Sequence, residues 1–290
     1  MIGFDISSYR KGISFDAIKN NEIDFLILRA GFTGWGTGVN YNRDKCFEDF
    51  YNKAKQYNIP VGAYWYSCAN TYQKGVNEAN YMYNNCLKGK QFEYPIYIDV
   101  EDKHHQVNNK RGVTDAIIGF CETLENLGYY VGIYASDISG FKEKMNINEL
   151  TMYDKWVARY GSKPKYVKSY GMWQSSSRYR INGYNANLDS DVSYKNYPSI
   201  IKNGGFNGFS KNQVERPNEK PVINNDFKIG DTVKIIKSGK ASSNGSGATA
   251  YGIGWKRQIL KIYNDKEYPY QVGNSSGTTG FYKKDALEKI

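Results

Sequence analysis

The chain has 290 residues, a formal net charge of +10, and 40% hydrophobic and 16% aromatic residues, including 27 tyrosines. That length suits a barrel plus an appendage, and no stretch approaches the ~20 apolar residues of a membrane span. With only His104 and His105, adjacent to each other, and with Cys46, Cys68, Cys86 and Cys121 lacking any CxxC spacing, a Ser-His-Asp triad and a His-rich zinc site are both poorly supported.

The chain starts on an apolar strand at 2–6, with no basic n-region, h-region or cleavage site, so a secretory signal is not expected. Ser14 is a plausible N-cap for a short helix. Phe25 to Arg29 reads as a strand, and 43–57 as a helix with Phe47, Phe50, Tyr51 and Ala54 at helical spacing. A strand at 60–66 precedes a helix whose face carries Val76, Ala79, Tyr83, Cys86 and Leu87. Next comes a strand over 95–101, then a helix from Thr114 to Leu127 closed by Gly128 as the C′ residue. Later strands, at 130–134, 155–160 and 170–174, have weaker intervening helices. Strands alternating with helices imply parallel pairing, in a βα barrel or an open sheet.

The most informative run is Tyr94-Pro-Ile-Tyr-Ile-Asp-Val-Glu101. Positions i and i+2 of a strand share a face, so Asp99 and Glu101 sit about 6–7 Å apart at the backbone. Paired carboxyls at that range suit glycoside hydrolysis, one donating a proton and one stabilising positive charge. Like charges so close should push one pKa up and the other down. Asp5, Asp99 and Glu101 all fall at strand carboxyl ends, where βα barrels collect their reacting groups. Any one of them alone reads equally well as a solvated strand end.

Near residue 204 the periodicity breaks. We expect a polar linker over 206–226, with Pro217 and Pro221, between a catalytic barrel at 1–205 and a small antiparallel β-barrel at 227–290. The last segment holds 11 Lys+Arg against 5 Asp+Glu, a net +6, as befits a binding module. Basic charge favours an anionic partner such as nucleic acid, a membrane surface or an acidic wall polymer. No basic helix or RNP-like motif favours nucleic acid. A genome rich in Asn, Lys and Tyr codons also accounts for much of this composition.

Several segments together resemble the lysozymes of glycoside hydrolase family 25, over residues 1–200. They are Gly3-Phe-Asp-Ile-Ser7, Leu28-Arg-Ala-Gly31, Val61-Gly-Ala-Tyr-Trp-Tyr66, Tyr97-Ile-Asp-Val-Glu101, Gly132-Ile-Tyr134, Lys155-Trp-Val-Ala-Arg-Tyr160, Met172-Trp-Gln174 and Leu188-Asp-Ser-Asp191. The resemblance implies a flattened, incomplete βα (TIM-like) barrel that cleaves the β-1,4 bond between N-acetylmuramic acid and N-acetylglucosamine in peptidoglycan. From the residues themselves no cofactor or metal is expected, the four cysteines reading as reduced core residues, and no membrane insertion. Carried over, Glu101 is the general acid. Asp99 stabilises the oxocarbenium-like centre or orients the substrate's N-acetyl group. Asp5 and Asp189 fix the geometry, with Asp191 the alternative for the fourth acid and otherwise a substrate contact. Tyr64, Tyr66, Tyr134 and Trp173 are candidate subsite walls, each as readily core. Arg29 either pairs with the acids or forms a core salt bridge. The tail is similar to SH3-like wall-binding barrels through Phe227-Lys-Ile-Gly-Asp-Thr-Val233, Gly254-Trp-Lys-Arg257, Tyr268-Pro-Tyr-Gln-Val-Gly273 and Thr279-Gly-Phe-Tyr282, where Trp255, Tyr268, Tyr270 and Tyr282 either stack on a ligand or build the core. A phage endolysin working from the host cytoplasm on the wall, or a bacterial autolysin, fits these features.

Overall fold

The computed structural model describes residues 1–34, 40–210, 227–250, 252–263, 266–274 and 277–290. The chain divides into two compact units, Met1–Val214 and Glu215–Ile290.

In the first unit eight strands form a closed sheet. They are β1 (Ile2–Ile6), β2 (Phe25–Thr33), β4 (Val61–Tyr66), β5 (Ile96–Asp99), β6 (Val131–Ser136), β7 (Asp154–Ala158), β8 (Met172–Ile181) and β9 (Tyr184–Ser193), with β3 (Tyr41–Arg43) added at the side of β2. Neighbours run parallel from β1 through β8, and only β9, between β8 and β1, is antiparallel to both. The β1–β2 pairing closes the sheet, so incompleteness lies elsewhere, in the outer layer. Helices α1 (Phe15–Asn20), α2 (Phe47–Gln56), α3 (Tyr72–Met82) and α4 (Lys110–Asn126) pack outside the first half. A π-helix (Asp137–Lys142) and a 3-10 helix (Ile147–Glu149), with no α-helix, join β6 to β7, and a tight turn joins β8 to β9. The α5 helix (Tyr197–Gly204) follows β9.

Local chemistry explains the boundaries. The Ser14 side chain accepts from the Ala17 amide to cap α1. Helix α2 starts at Phe47 rather than 43, because Tyr41–Arg43 pairs with β2. Helix α4 starts earlier than its periodicity suggests, at Lys110, capped by the Asn109 side chain. Gly128 takes φ +85° after it, where any side chain would strain the backbone.

Strand alternation sorts the side chains. Leu26, Leu28, Ile96, Ile98, Val131 and Ile133 face the helices, while Phe25, Ile27, Tyr97, Tyr134, Trp156 and Met172 form an inner cluster. The inner rings need space that glycines supply. A Cβ on Gly132 would lie 2.5 Å from the Tyr97 ring, and one on Gly3 2.4 Å from that of Phe25.

The barrel extends beyond its expected end at 205. Phe206 packs edge-on against Tyr130. The fully buried Asn207 accepts from the Tyr130 amide at 2.7 Å and donates to the carbonyls of Phe92 and Tyr94. Residues 206–209 are therefore barrel rather than linker. The remainder of the expected linker, 211–226, lies outside the described residues.

The second unit is one antiparallel sheet in the order β12 (Thr249–Ala250), β11 (Gly239–Lys240), β15 (Gly277–Tyr282), β14 (Tyr270–Asn274), β13 (Lys256–Ile262), β10 (Thr232–Ile235) and β16 (Leu287–Lys289). Its core is Phe227, Val233, Ile235, Ile259, Tyr270, Val272, Tyr282 and Leu287. Tyr270 and Tyr282 are thus core and not free to stack on a ligand, whereas Trp255 is 51% exposed.

Replacing Gly132 by Ala should cost about 1–3 kcal/mol, because a ring must give way inside a packed barrel. Gly12→Ala, where nothing lies within 4 Å of the new methyl, should leave stability nearly unchanged. Thermal unfolding of the two variants checks the contrast.

Candidate active site

The inner positions at the carboxyl ends of the strands enclose a cleft of about 410 Å³. Its walls include Asp5, Arg10, Arg29, Tyr64, Tyr66, Asp99, Glu101, Tyr134, Trp156, Tyr160, Gln174 and Asp189. Parity delivers them. On the β5 line Tyr97, Asp99 and Glu101 point inward while Ile98 and Val100 pack outward. Strand β5 itself stops at Asp99, and Glu101 stands just beyond it, exposed, whereas Asp99 is buried to 3%. Asp5 on β1 pairs across the ladder with Asp189 on β9. Directly opposed residues of an antiparallel pair hold their Cβ atoms about 4.5–5.5 Å apart, where like charges repel.

Few positive charges relieve the crowding. Arg29 lines the cleft but is held by the buried Asp44 at 2.7 Å and by Ser8. It is a structural ion pair and stands under the rings of Tyr9 and Phe32. Arg10 stands 3.6 Å from Asp189. Lys144 donates to the carbonyls of Glu101 and Asp102. Neutral donors do the rest. Gln174 donates to Asp5 at 2.7 Å, and Tyr134 and Tyr160 donate to the Gln174 carbonyl, fixing which way its amide faces.

Burial is the main cause that raises every acid of the cluster. Asp99 is pushed well above the usual carboxylate range by desolvation, then by Glu101 and Asp5, against a pull from Arg29. Asp5 rises well above its ordinary value through desolvation and Asp189, opposed by the Gln174 hydrogen bond. Desolvation also raises Asp189, against Arg10. It raises Glu101 as well, opposed by Lys144, but Glu101 stands exposed, so its rise is the smaller of the pair. The expected divergence, one acid up and one down, is therefore replaced by a shared rise that is steeper for the deeper residue. The Asp99 Oδ1 atom, buried, has no hydrogen-bond partner among the described residues.

Two expected contacts fall outside the cleft. The Trp173 indole donates to the Arg159 carbonyl at 2.7 Å and does not line the cleft, because its neighbours Met172 and Gln174 take the inner parity. Trp156 provides the wall instead. Asp191 is fully buried beneath the cleft, with Oδ1 accepting from the Trp156 indole at 2.8 Å, so Asp189 is the acid that reaches the surface. Gln174, Trp156, Tyr160 and Arg10 were missed as site residues. Gln174, Trp156 and Tyr160 lay inside motifs already singled out and needed only the correct parity.

A cysteine nucleophile does not fit. Cys68 is buried away from the cleft, and its thiol is pushed up to about 12 by burial and by Asp102.

Known proteins match this chain in sequence and in fold. The sequence profile of the Glycosyl hydrolases family 25 matches residues 4–184. The autolytic lysozyme of Clostridium acetobutylicum is 28% identical over 194 residues, 66% of this chain and 55% of that protein, so the chain spans about half the length of that relative. The CTP1L endolysin superimposes with a TM-score of 0.59 at 23% identity, over 69% of each chain. A family 25 glycosyl hydrolase from Bacillus anthracis does so at 0.57 and 23% identity, over 72% of this chain and 93% of that one. At such identities the structural likeness is one of fold.

A carboxyl whose folded pKa is raised binds its proton more tightly in the native state. The native state then loses stability as pH rises from the unfolded value, about 3.9, through the folded value. Asp99→Asn removes that penalty. Its melting temperature should exceed that of the parent at pH 7, and the gap should close as pH falls towards 4. A variant less stable than the parent across this range would overturn the electrostatic account.

Proposed function

The chain belongs to the glycosyl hydrolases family 25, and we propose that it is a lysozyme, an N-acetylmuramidase that hydrolyses the β-1,4 bond between N-acetylmuramic acid and N-acetylglucosamine in peptidoglycan. The observation that carries this reading is the meeting of Asp5, Asp99, Glu101 and Asp189 in one aromatic-walled cleft. Glu101 stands at the open side, where it can reach the glycosidic oxygen, and its raised pKa favours the protonated form from which a proton is delivered as the bond breaks. The unpaired Asp99 Oδ1 at the buried side is an acceptor suited to the amide N–H of an N-acetyl group or to a developing positive centre. Asp5, tied through Gln174 to Tyr134 and Tyr160, and Asp189 hold the pair's field and spacing. The partly exposed Tyr64 and Tyr66 offer rings to sugars, backed by the buried Tyr134 and Trp156.

We further read the second unit as a cell-wall-binding module of SH3-like type. The net charge of +6 over residues 227–290 suits anionic wall polymers. The exposed Trp255, with Arg257 4.4 Å from its ring centroid, and Tyr268 beneath Lys283 are the surface candidates. The wall-lytic relatives, an endolysin and an autolytic lysozyme, favour the same reaction for phage or bacterial origin.

Glu101→Gln should lower release of reducing sugars from purified walls by about 10²–10⁴-fold, since the amide cannot donate the proton, while folding and wall sedimentation persist. More than a tenth of the parental rate, or new amino groups in place of reducing ends, would refute the assignment. Residues 1–210 alone should hydrolyse soluble wall fragments yet need more enzyme to lyse intact cells, and 227–290 alone should sediment with walls less readily as salt rises. A tail that binds no wall preparation would make it a structural cap.

A further inference from the structure

Cys68 and the pair Asp102 and His104 are 34 and more residues apart in sequence, yet they meet where adjacent strands end. Strand β4 pairs with β5 through Tyr66 and Asp99, so the segments leaving both strands emerge side by side. There the Cys68 Sγ, one Asp102 carboxylate oxygen and the His104 Nδ1 lie within 4.8 Å of one another. We propose that these three side chains form a binding site for one zinc-class metal ion, set directly behind the proposed catalytic acid.

The donor set is the first argument. A thiol, an imidazole and a carboxylate together suit zinc and similar transition ions, whereas magnesium and calcium favour all-oxygen shells. Bond lengths of about 2.0–2.3 Å in a tetrahedron put ligand atoms roughly 3.3–3.8 Å apart, so the cysteine needs to close on the others by about 1.5 Å at most, while His104 Nδ1 and Asp102 Oδ1, now in direct contact, need to part slightly.

The second argument is how firmly the ligands are held. The Cys68 amide donates to Glu78 at 3.0 Å, the Ser67 hydroxyl donates to the same carboxylate, and the Ser67 amide donates to the Asp99 carbonyl. On the other side, Tyr66 donates to Asp102 Oδ2 at 3.0 Å and the His104 amide to Oδ1 at 2.8 Å, while Lys144 holds the Asp102 carbonyl. Partners of this kind orient metal ligands. Oδ1 also meets the His104 ring, a contact a metal ion would replace. Cys68 and Asp102 are buried, and His104, with its side chain 25% exposed, leaves a route from solvent and a fourth position for water.

None of the three lines the cleft, so the ion would not touch substrate. It would instead tie the end of β4 to the segment that carries Glu101. Binding releases the Cys68 thiol proton to buffer as the sulfur–metal bond forms. The site stands whether or not the proposed reaction does, because its test reads metal directly.

The test titrates zinc into the chelator-treated full chain against a chromophoric chelator. One ion per chain should bind, magnesium and calcium should not compete, and Cys68→Ser and His104→Ala should each weaken binding at least tenfold while Cys46→Ser leaves it unchanged. Cobalt should give a thiolate charge-transfer band that Cys68→Ser abolishes. A hundredfold excess of zinc over its Kd should raise the barrel's melting temperature by about 5–10 °C. Zinc binding that survives both substitutions, or no stoichiometric binding by the parent chain, overturns the proposal. His104 is partly exposed, so its alanine variant decides the matter if Cys68→Ser fails to fold.

Discussion

A closed sheet whose inner face alternates with its helix-facing side forces this molecule to stack two incompatible layers on one axis. Phe25, Tyr94, Tyr97 and Tyr197 pack together inside the barrel, and the acids stand at the carboxyl ends of strands, as Asp99 follows Tyr97 on β5. Each buried ring contributes about 1.5–3 kcal/mol through its apolar surface, and together they make a dry floor. Carboxylates above such a floor lose solvation, which is why burial heads the causes of every raised pKa in the cleft. The apolar packing that stabilises the barrel is also what makes its charged mouth costly. Functional acids elsewhere are held against stability in the same way.

The barrel could neutralise the cluster and does not. Arg29 is drawn aside by Asp44, Lys144 serves carbonyls, and Arg10 reaches only the outermost acid. A close bidentate cation would have pulled an acid's pKa down and stripped it of the proton a general acid needs. Tyr134, Tyr160 and Gln174 order Asp5 with neutral hydrogen bonds, so geometry is fixed without losing the proton. Positive charge in this chain is abundant, but among the residues lining the cleft it is limited to Arg10 and Arg29, and neither forms a close ion pair with Asp99 or Glu101. That division is consistent with a net-basic protein doing acid chemistry.

The sequence made the alternating elements and the acids at strand ends legible, because period-two and helical patterns are local. It misjudged what depends on long-range register. Trp173 looked like a wall and Trp156 did not, because parity is set by which strand closes the barrel. The far half of β8 and all of β9 are rich in Ser, Asn and Arg, which hid them from a hydrophobic search that found only 170–174, although Asn182-Gly183 with φ +86° at the glycine is a hairpin signal. Asn207 closes the barrel from within a stretch of glycines that reads as linker. The grouping of Cys68 with Asp102 and His104 was invisible for the same reason: no spacing rule links residues that meet only through parallel strand pairing.

Burial applies the same sorting to the aromatics of the second unit. Tyr270 and Tyr282 alternate inward on β14 and β15 and supply a core that the unit's small size otherwise lacks. What remains outside is aromatic and cationic at once: Arg257 on Trp255, Lys283 on Tyr268, Lys261 on Tyr263. A cation lying on a ring keeps that ring from presenting a bare apolar face, which limits self-association. It leaves a surface on which charge and ring act together. Such a surface favours a ligand that offers negative charge beside a flat apolar face over one that offers either alone, and an anionic sugar polymer has both.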